Sequence, residues 1–137
     1  PRRELKLVAK SAGRPNGVAL APNGRILYVS DSDRREVRAW DLDRRGEASN
    51  ERVLIRDIEA VPGGIRVDEK GHLYVAAKGI AVYSPEGRRL SVIPVEERPS
   101  NCAFGDPDGK SLYITARTSI YRVRLEGEEP QGESSRQ

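Results

Sequence analysis

The 137-residue chain contains one cysteine, one histidine, one phenylalanine, one tryptophan and no methionine. The single cysteine, Cys102, excludes an internal disulfide framework and any cysteine-rich zinc site. With His72 alone, in a turn segment after Lys70-Gly71, no Ser-His-Asp arrangement can be assembled. No phosphate-binding or dinucleotide-binding fingerprint occurs either. Aromatic residues make up 5% of the chain, too few for a base-stacking platform. No segment approaches the ~20 consecutive apolar residues of a membrane span. No charged start followed by an apolar run reads as a signal peptide. No segment carries a 3.6-residue apolar period, so helices are not expected.

Charge of one sign is also lacking. Twenty-four Lys and Arg face 21 Asp and Glu, a formal net charge of +3. The signs are interspersed, as in Asp31-Ser32-Asp33-Arg34-Arg35-Glu36. That pattern describes a mixed, solvated surface and argues against nucleic acid as a partner. The length suits one domain. Without a leader the default compartment is the cytoplasm, and an export segment upstream would make it the periplasm or the exterior.

What the chain does have is repetition. Arg14-Pro15-Asn16-Gly17-Val18-Ala19-Leu20 is followed by Asn23-Gly24-Arg25-Ile26-Leu27-Tyr28-Val29. Val61-Pro62-Gly63-Gly64-Ile65-Arg66-Val67 is followed by Lys70-Gly71-His72-Leu73-Tyr74-Val75. Pro99-Ser100-Asn101-Cys102-Ala103-Phe104 is followed by Asp108-Gly109-Lys110-Ser111-Leu112-Tyr113-Ile114. Each repeat reads as short strands separated by turn residues, because Asn and Gly tolerate the positive φ of tight hairpins. The first repeat predicts strands at 18–21, 26–29, 36–42 and 52–55. The second predicts 65–67, 73–76, 80–83 and 90–93. The third predicts 102–104, 112–115 and 120–123.

Four short strands in roughly 40–45 residues are the sign of a propeller blade. The fold class is therefore all-β, a β-propeller of about three four-stranded blades. They span residues 14–60, 61–97 and 98–125 within a 1–125 unit. The third repeat lacks its fourth strand, and residues 4–9 read as a lone strand of a neighbouring blade. Together they would make one complete blade. A homodimer could thus close a ring by exchanging these strands, which removes exposed sheet edges. Residues 126–137 are polar, without periodicity, and read as a disordered tail.

The run from Arg14 to Gly24 with Leu27-Tyr28-Val29-Ser30-Asp31-Ser32 resembles the senescence marker protein, gluconolactonase and luciferin-regenerating enzyme family. Pro62-Gly63-Gly64-Ile65-Arg66-Val67-Asp68 is similar to that family's Pro-Asp-Gly blade start, and Ser100 to Gly105 with Leu112 to Ala116 to a late blade. The resemblance covers roughly residues 5–125. It implies the second half of a six-bladed propeller that opens sugar-type lactones at a divalent metal, calcium in the first instance. Such a cation polarises the lactone carbonyl and helps activate water. Asn16 matches the family's Asn metal ligand, and Asn101, at the equivalent start of the third blade, would line the substrate pocket. The family's Asp ligand position is Gly63 here, and its Glu ligand belongs to a blade outside this chain. Calcium without anionic ligands binds weakly, so the isolated chain would hold it weakly or not at all. Glu59, four residues before Gly63, is the nearest carboxylate that could swing in. The catalytic base is unknown.

Each of these residues also has a plainer reading. Asn16-Gly17 is a common turn pair. Asn101 can hydrogen-bond its own loop. Asp31, Ser32 and Asp33 read as a turn cap rather than a ligand set. His72 reads as a surface turn residue, Cys102 as buried packing on an inner strand, and Trp40 as packing between blades. The competing function is a non-catalytic propeller that binds a small ligand or a protein partner.

Overall fold

In the computed structural model, residues 3–10 and 13–125 are described; the tail expectation for 126–137 lies outside them. Eleven strands form three antiparallel sheets, and the described residues contain no helix. The first sheet runs in chain order through β1 (Pro15–Leu20), β2 (Ile26–Asp31), β3 (Glu36–Leu42) and β4 (Ala48–Ile55). The second runs through β5 (Ile65–Val67), β6 (Leu73–Ala77), β7 (Gly79–Tyr83) and β8 (Arg89–Ile93). The third contains β9 (Pro99–Gly105), β10 (Ser111–Ala116) and β11 (Ser119–Arg124).

The inner hairpins of the three sheets turn in the same way. The amide of Gly24 donates to Ala21 O at 2.8 Å, that of Gly71 to Asp68 O at 3.0 Å, and that of Gly109 to Asp106 O at 2.9 Å. These glycines have φ of 73°, 87° and 69°. A side chain disfavours that region, which is why the turn glycine recurs in every repeat.

Burial follows the position of each sheet. The middle sheet is covered on both faces. Leu73, Val75 and Ala77 of β6 join Tyr28, Val37, Ala39 and Ile55 in a core against the first sheet. Ala76 and Ile80 join Cys102, Leu112 and Ile114 in a core against the third. Tyr74 and Phe104 meet edge to face there, with ring centres 5.2 Å apart. Two-faced burial explains why β6 and β7 read as nearly unbroken apolar runs. The end sheets are covered mainly on one face, and β11 alternates strictly between half-buried and exposed.

Their other faces retain apolar side chains in the open: Val18 and Leu20 on the first sheet, Ile120 on the third. Trp40 lies on the same outer side of the first sheet as Leu20. It is 5% exposed, but it lies opposite Leu27 while its neighbour Ala39 enters the core. Strand alternation therefore puts Trp40 on the face turned away from the second sheet, the side on which a preceding blade of a ring would pack. Residues 3–10 form no strand within the chain, and Leu5 and Leu7 are exposed. No helix among the described residues is long and apolar enough to cross a membrane.

Candidate functional site

The first strand of each sheet is the innermost: β1 lies against β5, and β5 against β9. All three start at the same end, and there Pro15-Asn16-Gly17, Pro62-Gly63-Gly64 and Pro99-Ser100-Asn101 gather. Their backbones approach so closely that side chains are excluded. A Cβ on Gly17 would sit 2.2 Å from Gly63 O, one on Gly63 would sit 2.6 Å from Ser100 O, and one on Gly64 would meet Asn101 Oδ1. None of the three has a positive φ, so close approach and not turn geometry is what requires glycine. Gly64 N donates to Ser100 O at 2.9 Å, and Gly63 N to Ala76 O at 2.7 Å, which pins the middle inner strand from both sides.

Asn16 lies within β1 and is exposed at this mouth, so the turn reading of Asn16-Gly17 does not hold. Its Nδ2 donates to Ser32 Oγ at 3.2 Å. Ser32 Oγ donates in turn to Pro62 O at 3.1 Å. A parallel chain runs beside it: Gly17 N donates to Ser30 Oγ at 2.7 Å, and Ser30 Oγ to Gly63 O at 2.6 Å. As a candidate, the sequence offers Ser32 only within the Asp31-Ser32-Asp33 turn cap, and Ser30 not at all. Their signal was weak: two hydroxyls flanking Asp31, the residue that pairs with Pro15 across the strands.

Asn101 is also exposed at the mouth, but its amide is turned the other way. Its Oδ1 accepts from Cys102 N at 2.9 Å. Cys102 N can only donate, so the Asn101 oxygen faces its own backbone and its Nδ2 is left outward. One asparagine thus offers an oxygen and the other an N–H donor.

Asp31 is the cap that the sequence suggested. It is 2% exposed and accepts from the amides of Arg14 at 3.1 Å, Asp33 at 3.0 Å and Arg34 at 3.0 Å. It thereby ties the segment before Asn16 to the loop after β2. Burial pushes its carboxyl upward, but the backbone donors of Arg34, Arg14 and Asp33 outweigh that and hold it below the usual carboxylate range. A depressed folded pKa contributes stability that is complete above the unfolded value of about 3.9 and is lost as pH falls through the folded pKa. Wild-type protein should therefore lose stability progressively below about pH 4 in urea titrations, and Asp31→Asn should flatten that dependence.

The remaining sequence candidates are quiet. His72 Nδ1 lies 3.2 Å from Asp68 Oδ2, beside the hairpin turn at the far end of β5 from the mouth. Glu59 pairs with Lys78 at 3.2 Å, both exposed. Cys102 is buried, and desolvation pushes its thiol up to about 11. It should resist alkylation in the folded state and react at once in urea, as mass spectrometry after a short iodoacetamide pulse would show. Two grooves of about 710 and 550 Å³ lie away from Asn16 and Asn101. The larger is lined by the turns at the opposite end of the inner strands, including His72 and Lys110.

The fit to a metal ion is partial. A hard cation takes amide oxygens readily, and Asn16 offers one. Among the described residues, no group of three or more His, Cys, Asp and Glu could hold a metal. Asn16 can serve as one ligand, and among the described residues no anionic ligand set joins it.

Comparison with known proteins places this arrangement. A family profile described as SMP-30/Gluconolactonase/LRE-like region matches residues 1–118. A gluconolactonase of Zymomonas mobilis is 35% identical over an alignment of 138 positions that covers 90% of this chain and 38% of that protein. An L-arabinolactonase of Azospirillum brasilense is 30% identical, covering 81% and 38%. The solved structure of a gluconolactonase from Xanthomonas campestris superposes with a TM-score of 0.76 at 30% identity, covering 82% and 38%. The chain thus spans about two fifths of the length of these relatives. With propeller enzymes as structural neighbours, the three sheets are blades of a propeller-type fold. The chain belongs to the SMP-30/gluconolactonase/LRE-like family.

Proposed function

We infer that this chain is part of a lactone hydrolase that opens a sugar-type lactone at a divalent cation held at the ring mouth. The observation that carries the reading is the Asn16 amide. Its nitrogen is held by Ser32, which leaves its oxygen as a hard donor at the convergence of the inner strands. The lactonase relatives support the substrate class. Calcium is the cation that the family resemblance favours. Once bound, it would polarise the lactone carbonyl and lower the pKa of a bound water.

The chain's own residues have three tasks in this reading. Asn16 supplies one neutral ligand. Asn101 points its Nδ2 at an oxygen of the sugar and orients the ring. Gly17, Gly63 and Gly64 let the inner strands close up so that both asparagines reach one space. A ring completed by further blades of a longer polypeptide would draw its carboxylate ligands and general base from them; a ring of two copies would have to recruit a carboxylate of this chain, Glu59 being the nearest in sequence to Gly63.

Activity therefore needs a completed ring. Six blades would be reached either by the rest of a longer polypeptide or by a second copy. In a two-copy ring, β11 would gain residues 4–9 of the partner as its fourth strand, and the open apolar faces would be covered. Light scattering would then give twice the 15.2 kDa chain mass. The functional test is ring opening of aldonolactones by the ring-sized species, followed in a pH-stat beside an acyclic ester. Faster opening of the lactones alone supports the reading. A closed ring that binds lactones without opening them would leave a binding propeller instead.

A further inference from the structure

We propose that Ser32 is a positioning residue that decides which end of the Asn16 amide faces the mouth. The inference rests on Asn16 being the metal ligand of the proposed function, but its structural half stands on hydrogen-bond direction alone. Pro62 has no N–H, and its carbonyl oxygen can only accept. Ser32 is 8% exposed and has a single hydroxyl proton. With that proton directed to Pro62 O at 3.1 Å, the hydroxyl oxygen can only accept from Asn16. The group lying 3.2 Å away must therefore be Nδ2, and Oδ1 is presented outward. A rotation of the amide by 180° would set two acceptors against each other.

The same relay links two blades. Pro62 belongs to the segment leading into β5, and Asn16 to β1. Ser30 repeats the device one residue further along, reading Gly63 O and serving Gly17 N. Adjacent carbonyls of the second blade are thus read by two serines of β2 and its following loop, and converted into the placement of adjacent residues of β1. The ligand oxygen is aimed correctly only when the second blade is seated. Asn101 needs no such relay, because its own backbone sets its amide.

The test is made on the full chain by nitrogen-15 NMR of the side-chain amides. The Asn16 Nδ2 protons should exchange with solvent about two- to tenfold more slowly than those of exposed Asn23, the factor expected of one net hydrogen bond. Ser32→Ala should abolish that protection, and Ser32→Thr, which keeps the hydroxyl, should restore it. Calcium is then titrated to millimolar levels into the ring-sized species while the Asn16 side chain is followed. The wild type and Ser32→Thr should shift at Asn16, and Ser32→Ala should shift at several-fold higher calcium.

Protection that survives Ser32→Ala overturns the proposal. So does loss of protection with no change in the calcium response. Should Ser32→Ala fail to fold, the wild-type comparison decides, since an Asn16 amide that exchanges as fast as that of Asn23 also overturns it. A wild type with protected Asn16 but no calcium response, even as a closed ring, overturns the metal reading and with it the positioning role. The hydrogen-bond direction would then stand alone as a structural contact.

Discussion

Asn16→Ala is expected to lower calcium affinity and lactone hydrolysis of the completed ring by at least about 100-fold. Changes to groups that merely orient metal ligands cost about 10- to 100-fold, and Asn16 is placed as a ligand itself. Its amide is exposed, so the substitution removes little packing. Among the described residues, the side-chain hydrogen bond at risk is the one to Ser32, worth about 0.5–1.5 kcal/mol. The signature is therefore a large functional loss beside a small change in urea midpoint. Asn16→Asp sharpens the contrast. It keeps an oxygen and adds the charge that strengthens calcium sites, so calcium affinity should not fall as it does with alanine. Equal losses in both variants, or none in either, would remove Asn16 from the metal. Calorimetric titration of calcium into the three proteins checks this.

Gly63→Asp is expected to destabilise the chain by about 2–4 kcal/mol and to restore no calcium affinity. The family resemblance invites the opposite outcome, because this is where it leads one to expect a carboxylate. The local packing decides against it. The new Cβ would lie 2.6 Å from Ser100 O, a backbone atom with no rotamer to change. Ser100 O is also the acceptor for Gly64 N at 2.9 Å, so retreat of the third blade breaks that bond. Overpacking costs about 1–3 kcal/mol and the lost bond about 0.5–1.5 kcal/mol. Against a total stability of about 5–15 kcal/mol, this is a serious loss. Urea unfolding of Gly63→Asp gives the answer. A midpoint equal to wild type would mean that the inner strands at the mouth are looser than their geometry implies.

The repeats were legible because they are set by local chemistry. A hairpin that needs positive φ shows itself as Asn-Gly, Lys-Gly or Asp-Gly wherever it occurs, and Gly24, Gly71 and Gly109 mark equivalent turns. Strands with one covered face alternate, and β3 was read with its observed ends, Glu36–Leu42. Boundaries failed where the strand is polar. β4 begins at Ala48 rather than Arg52, because its first half is held by pairing with β3 and carries no apolar signal. An irregular register near Asn50, with φ of 56°, disguised it further.

Contacts between sheets were not legible. Nothing local says that Trp40 sits on an end face, that Ser32 meets Pro62, or that Gly63 meets Ser100. Each depends on two segments 30 to 37 residues apart, or on which neighbouring sheet is present. The candidate asparagines could be found from their place in the repeat. The direction of their amides could not, because hydrogen bonds to Ser32 and to Cys102 N set it.

The most direct measurement is lactone ring opening by the closed-ring species as its metal is removed and returned. The account predicts hydrolysis that vanishes with a chelator, returns with added calcium, and stays about 100-fold or more lower in Asn16→Ala. Hydrolysis that persists in full after chelation, or that Asn16→Ala leaves untouched, would contradict the central claim that this mouth holds the metal that opens the lactone.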